Sequence, residues 1–318
     1  MDIFSKGTGS NYPFSLVVQF RLNLNTILAY DHRRCFFDHD KNLKIARGSN
    51  HVNPSLIITH PGSSHFDEFF AVSLILAVYN REMFHVERRE PLPGELANPN
   101  IWVVDIGGQH DPMLKNFDHH QSLDVQSSFM LVADYLKVSQ ALSVFPWWDF
   151  KDGIDRFGPT RMGEEMGGVN LTATYSPFEE WYLTLFAQEP GPCLPLMKAF
   201  GQSMLEQANA LLKGMEFWQN ARRVSIKQKI CLVGETFDLT GAEEYCDRLD
   251  SPFSMTVSYD KRGEGWTLKR YKDDPGVDFS LISAHPTVKF AHPGGFIAKT
   301  RERIPLDDVL ALAALAVK

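Results

Sequence analysis

The 318-residue sequence has no apolar run approaching the roughly 20 residues that a membrane-spanning helix needs. Its N-terminus also lacks a basic region followed by an apolar stretch and a small-residue cleavage site, and Asp2, Asp31, Asp38 and Asp40 are poor transit-peptide chemistry. Both absences make a cytoplasmic protein with no membrane partner the expectation. Cysteine is scarce: Cys35, Cys193, Cys231 and Cys246 are scattered and form no C-x-x-C pair, so reduced structural thiols are expected. There is no basic surplus either, since 32 Lys and Arg face 39 Asp and Glu for a formal charge of −7. That argues against a surface that coats nucleic acid, although a local basic groove remains compatible because steering depends on charge distribution. No internal repeat or low-complexity tract interrupts the chain, and its length allows a sizeable core and two domains.

What is present is strand and helix alternation. Residues 1–53 read as an N-terminal extension with no assigned regular structure, ending in the loop "GSNHVNP". "SLIITH" (55–60) and "IWVVDIGG" (101–108) are short β-branched runs of the buried-strand type, with an apolar helix after "PGSSHFDE" between them. Strand, helix, strand with continuous apolar strands predicts an α/β fold on a parallel sheet over residues 54–223. Further helices are expected at 125–142, 177–188 and from about Leu194 to Arg223. From 224 to 318 the texture changes to short strand candidates, "KICLVG", "FSMTVSY", "GWTLKRY" and "DFSLIS", closed by the helix "LDDVLALAALAVK". This reads as a smaller C-terminal α+β domain.

Four segments of residues 54–223 end or turn on metal-ligand side chains. They are "THPGSSHFDE" with His60, His65 and Asp67; "VVDIGG" with Asp105; "FDHHQ" with Asp118, His119 and His120; and "DFKDGIDRFG" with Asp149, Asp152 and Asp155. Functional groups gather beyond the carboxyl ends of parallel strands, where His60 and Asp105 fall. Two divalent cations about 3.5–4 Å apart need a bridging carboxylate with nitrogen or oxygen ligands on each side. A mixed imidazole and carboxylate set suits Mn²⁺, which is favoured, or Fe²⁺, Co²⁺ or Zn²⁺, with Mg²⁺ ranked lower.

These four motifs, in order, resemble those of the DHH phosphoesterase superfamily, and most of all its Myg branch of nucleases. "VKFAHPGGFIAKTRE" is similar to that branch's closing histidine and glycine motif. The resemblance covers roughly residues 55–318, is weak between about 160 and 280, and implies a DHH-type catalytic domain. It implies one metal held by His60, His65 and Asp105, and a second by Asp67, Asp105, His119 and Asp155, with Asp105 bridging. Asp118 would orient His119, and His120 would face the scissile phosphate. "RFG" after Asp155 departs from the asparagine and glycine usual in the family, and Asp149 and Asp152 compete for the same role.

The chemistry so implied is phosphodiester hydrolysis by an activated water, as a 3′–5′ exonuclease on single-stranded RNA or DNA. Hydrolysis of small phosphate compounds (nano-oligonucleotides, cyclic dinucleotides or pyrophosphate) is the alternative, and a non-catalytic nucleotide-binding protein is a third. Substrate contacts are expected from His292, from Gly294 and Gly295 as exposed N–H donors, from Arg301 and Arg303, and from Phe296 as a stacking ring. Oligomeric state is open, a homodimer included. Plainer readings cover other residues: "DHRRCFFDHDKN" as a solvated loop, His110 as a turn residue, "PWWDF" as packing, and Arg88 and Arg89 as solvated surface.

Overall fold

The structure is a computed structural model that describes residues 54–249 and 252–318. The expected readings of residues 1–53, of "DHRRCFFDHDKN" and of Cys35 therefore lie outside the described residues. The first sheet comprises β1 (Ser55–Thr59), β2 (Phe84–Arg88), β3 (Trp102–Val104), β4 (His110–Asp111) and β5 (Asn116–Phe117). Its order is β2-β1-β3-β5-β4, with every pair parallel except the two-residue edge strand β4. The apolar strand runs thus make the mixed α/β arrangement expected of buried parallel strands.

Helix α1 (Phe66–Val78) connects β1 to β2, and all its residues from Asp67 to Ala77 are buried. It is covered by α2 (Ser128–Tyr135) and by the long α5 (Pro190–Gln219); α3 (Trp148–Glu165) and α4 (Pro177–Gln188) also touch it. Gly201 sets the spacing between α1 and α5, because a β-carbon there would lie 2.3 Å from the Ser73 carbonyl oxygen. Phe70 and Phe129 pack with centroids 5.8 Å apart, and Trp148 meets Phe129 edge-on at 4.9 Å. The "PWWDF" tryptophans are thus core and near-core packing.

The second sheet runs β10-β11-β9-β8-β7-β6, built from β6 (Arg222–Ile226), β7 (Lys229–Gly234), β8 (Met255–Tyr259), β9 (Trp266–Arg270), β10 (Val288–Ala291) and β11 (Ile297–Thr300). Only β7–β8 is parallel. Val257, Leu268 and Ala298 pack there against Val309 and Leu312 of α7 (Leu306–Leu315), while α6 (Ala242–Asp247) joins the larger core through Tyr245 and Cys246. Single-turn helices at Pro93–Leu96 and Ser139–Leu142 complete the set among the described residues. None of their helices is long and apolar enough to cross a membrane.

Four expectations need correction. "FHVER" is a strand, β2, although its alternating charges read as solvated surface. "DFSLIS" is a 3-10 turn over Phe279–Ile282, started by Asp278 Oδ1 accepting the Ser280 N–H at 3.1 Å. The helix expected over 125–142 breaks at Lys137, whose φ of 62° lies in the left-handed region. The long helix ends at Gln219, and the chain enters β6 at Arg222.

Candidate metal centre

The parallel sheet delivers its first two ligand candidates directly. His60 follows the last residue of β1 and Asp105 the last residue of β3, side by side in register. Asp105 adopts φ 60°, a conformation that an L-residue accepts at a cost and that aspartate tolerates better than most. Its carboxylate is 2 % exposed and faces two ways. Oδ2 lies 3.6 Å from His60 Nε2, and Oδ1 lies 3.4 Å from His119 Nε2. Ser128 Oγ donates to the same Oδ1 at 3.1 Å.

Around His119 the set is tight. Its Nε2 is 2.9 Å from Asp155 Oδ2 and 3.5 Å from Asp67 Oδ2. Asp67 comes from the buried first turn of α1, and its oxygens accept the N–H groups of Ser128 and Phe129 at the start of α2. That places the positive end of α2 against a carboxylate, a favourable pairing. Burial, and then the charges of Asp105 and Asp155, still hold the Asp67 carboxyl well above the usual range.

The histidines are raised as well, but by neighbouring charge against burial and not by burial itself. Burial by itself would lower His60, but Glu68 and Asp105 raise it to about 9. His119 is likewise pushed past its burial cost by Asp105 and Asp155, to about 10. His60 Nε2 and His119 Nε2 are buried and lack a well-directed hydrogen bond despite these neighbouring oxygens. Imidazole nitrogens and carboxylate oxygens converging on one buried place are chemistry that fits a divalent cation. Three groups of ligand atoms each lie within 4.8 Å of one another: His60, His65 and Glu68; Asp105, His119 and His120; and Asp67, His119 and Asp155.

Because both imidazoles hold protons near neutral pH, a cation must displace them to bind. Its affinity is expected to rise with pH, by up to about tenfold per unit for each proton released, until pH approaches the two values above. Mn²⁺ titrations at about pH 6 and about pH 8 check this; equal affinities would remove the imidazoles from the ligand set.

The remaining site residues divide. His120 is exposed, and its Nδ1 lies 2.7 Å from Asp118 Oδ1. Asp118, held by the Gly108 N–H at 2.6 Å, therefore orients His120 and not His119 as expected. The cause is local: His119 turns into the carboxylate cluster while His120 turns out over its neighbour. His65 is exposed at the start of α1, its ring centroid 5.3 Å from that of His60. Of the three competing acids on α3, Asp155 alone meets His119, whereas Asp152 Oδ1 accepts the Ser127 N–H at 2.8 Å.

Sequence reasoning missed several supports. Glu68, fully buried, lies 3.2 Å from His60 Nε2 and accepts from the His65 N–H at 2.9 Å. Arg88 pairs with it at 3.1 Å and is 5 % exposed, which corrects its reading as solvated surface. Arg156, at the position that departs from the family pattern, bonds Asp152 at 2.9 Å and the Leu123 carbonyl at 3.1 Å through Nε. It thus ties the His119–His120 loop to α3. The spacing from His65 to Glu68, an N-cap and its third helical residue, was the available signal for Glu68.

Two cavities open on the cluster. One of about 500 Å³ is lined by His65, Asp105, His119, His120, Asp155 and Arg156 among others. The second, of about 800 Å³, shares His65 and Asp155 with it, adds Asp67 and extends to α4. Neither is lined by His292, Gly294, Gly295 or Arg301. The expected anion nest is also absent from the β10–β11 turn: Gly294 N donates to His292 Nδ1 at 3.0 Å, and Gly295 N to the His292 carbonyl at 2.8 Å. Both donors are consumed within the turn. Arg301 Nε bonds the Pro286 carbonyl at 3.0 Å, Arg303 lies over the Tyr259 ring, and Phe296 packs on His292.

Residues 56–138 match the family model described as Uncharacterised protein family (UPF0160). That span holds His60, His65, Asp67, Asp105, Asp118, His119 and His120 and stops short of Asp155. The chain is 34 % identical over 100 residues to "MYG1 exonuclease" of Mus musculus, which covers 31 % of this chain and 26 % of that protein. It is 42 % identical over 74 residues to "MYG1 exonuclease" of Bos taurus, covering 23 % and 19 %. For the Homo sapiens protein of the same name, identity is 42 % over 69 residues, covering 21 % and 18 %. The matches thus span about a quarter or less of the length of each relative. They support the Myg family over the segment that builds most of the cluster.

Proposed function

We propose that this chain is a metal-dependent phosphodiesterase, most specifically a 3′–5′ exonuclease on single-stranded RNA or DNA. The carrying observation is Asp105, whose two oxygens face His60 and His119 separately. Bound there, two divalent ions, Mn²⁺ favoured, would supply an activated water and offset charge growing on the phosphoryl oxygens. His60, His65 and Asp105 would hold one ion; Asp67, Asp105, His119 and Asp155 would hold the other. His120, fixed through Nδ1 by Asp118, presents its exposed face to a bound phosphate. Names of the similar proteins support the nuclease reading. DHH-type architecture and a C-terminal substrate domain from residue 224 belong to the same proposal.

The test is hydrolysis of 5′-labelled single-stranded oligonucleotides of graded length with Mn²⁺. A ladder of products shortened one nucleotide at a time from the 3′ end is expected. Cleavage confined to two- to five-residue substrates would shift the reading to small phosphate compounds, and no Mn²⁺-dependent cleavage would reject it.

A further inference from the structure

The larger cavity differs in chemistry from the ion cluster it borders. Past His65, Asp67 and Asp155, its walls include Phe66, Ile154, Leu183 and Tyr175. Its one basic side chain, Lys151, is already taken: Nζ lies 2.5 Å from Glu179 Oε1 and 4.5 Å from the centre of the Phe66 ring. Glu180 adds a further acid to the lining. A wall with its cation neutralised and an acid in excess repels phosphate. Apolar and aromatic surface with polar rims receives a flat, uncharged group instead. Tyr175 is 46 % exposed, which leaves its ring free to stack. The buried Ser64 Oγ, also in the lining, has no hydrogen-bond partner. At about 800 Å³ the cavity is of the size that encloses drug-sized ligands.

The smaller cavity, which shares His65 and Asp155 with the larger one, is lined besides by Asp105, His120, Arg156, Gln121 and Ser122. Arg156 is paired there with Asp152 and the Leu123 carbonyl, so the donors left for an anionic backbone are the exposed His120 ring and the Ser122 hydroxyl, beside a guanidinium that keeps its charge. We propose that the larger cavity is a nucleoside subsite, taking the terminal base and sugar next to the scissile phosphate, while the anionic chain leaves past Arg156 and His120. This rests on the phosphodiesterase reading for its orientation. The pocket's preference for a nucleoside does not require an ion.

Isothermal titration of adenosine, adenosine 5′-monophosphate and inorganic phosphate tests it, with Mn²⁺ uptake measured in parallel. Adenosine is expected to bind the wild-type protein, and adenosine monophosphate to bind at least about tenfold more tightly than phosphate, the scale of one stacked base. Tyr175→Ala, and Thr184→Trp, which fills the groove from an exposed position, should each remove that advantage and leave phosphate affinity as it was. Adenosine that fails to bind, or that binds both variants as it binds wild type, overturns the subsite. Adenosine binding without Mn²⁺ uptake would retain the subsite and reject the metal reading. Mn²⁺ uptake without adenosine binding would do the opposite.

Discussion

Asp105→Asn is expected to abolish high-affinity Mn²⁺ binding at both clusters and to lower phosphodiester turnover by at least about 10²–10³-fold. The substitution keeps the shape of the side chain and an acceptor for Ser128 Oγ, which bonds Oδ1 at 3.1 Å. Asparagine also tolerates the left-handed backbone at this position, where alanine would add strain. What it removes is the charge standing between His60 and His119, so each half of the cluster loses its shared anion. Two of the three buried or half-buried acids around His119, Asp67 and Asp155, would remain. Mn²⁺ isotherms and hydrolysis of a chromogenic phosphodiester provide the measurement. A variant that binds two equivalents with wild-type affinity, or turns over normally, would show that the carboxylate bridges nothing.

Arg88→Met should lower the unfolding free energy by about 2–3 kcal/mol, the cost of removing charge-assisted donors from buried acceptors while His60 still faces Glu68 at 3.2 Å. Glu68 is fully buried, and Arg88 is its cationic neighbour at 3.1 Å. The guanidinium also donates to Thr59 Oγ1 at 3.2 Å and to the Ser63 carbonyl at 2.9 Å, and lies 5.0 Å from the Phe186 ring centre. Methionine restores some packing against Phe186 and none of the donors. Adding Glu68→Gln to the same chain should cost less than the sum of the two changes, because each single variant strands the other's partner. Urea unfolding monitored by tryptophan fluorescence checks both statements. A shift within about 1 kcal/mol of wild type would place the pair in an effectively aqueous setting.

The cluster of acids and histidines was legible because its residues carry their chemistry openly. His60 and Asp105 end apolar strands, and a parallel sheet brings such ends to one rim. Asp155 was recoverable from spacing, and only the fold separates it from Asp152, which faces Ser127 one turn away. Pairings between neighbours were less accessible. Nothing in "FDHHQ" says which histidine Asp118 will hold, since either ring lies within reach until the backbone fixes its direction. Strand β2 was hidden for a different reason: its arginine and glutamate are those of a surface strand, and Arg88 is paired with the buried Glu68, twenty residues earlier in the first turn of α1. The glycines of "HPGG" looked available in sequence because hydrogen bonds within a turn depend on its conformation.

The segments that carry the rim are scattered from His60 to Asp155. An unfolded chain holds these groups far apart and offers an ion no comparable cage. Any divalent ion captured by the assembled rim therefore acts as a folding partner, worth about 2.7 kcal/mol once its free concentration reaches a hundred times its dissociation constant. Supply of that ion to the cell would then govern how much of the protein survives as well as how fast it works.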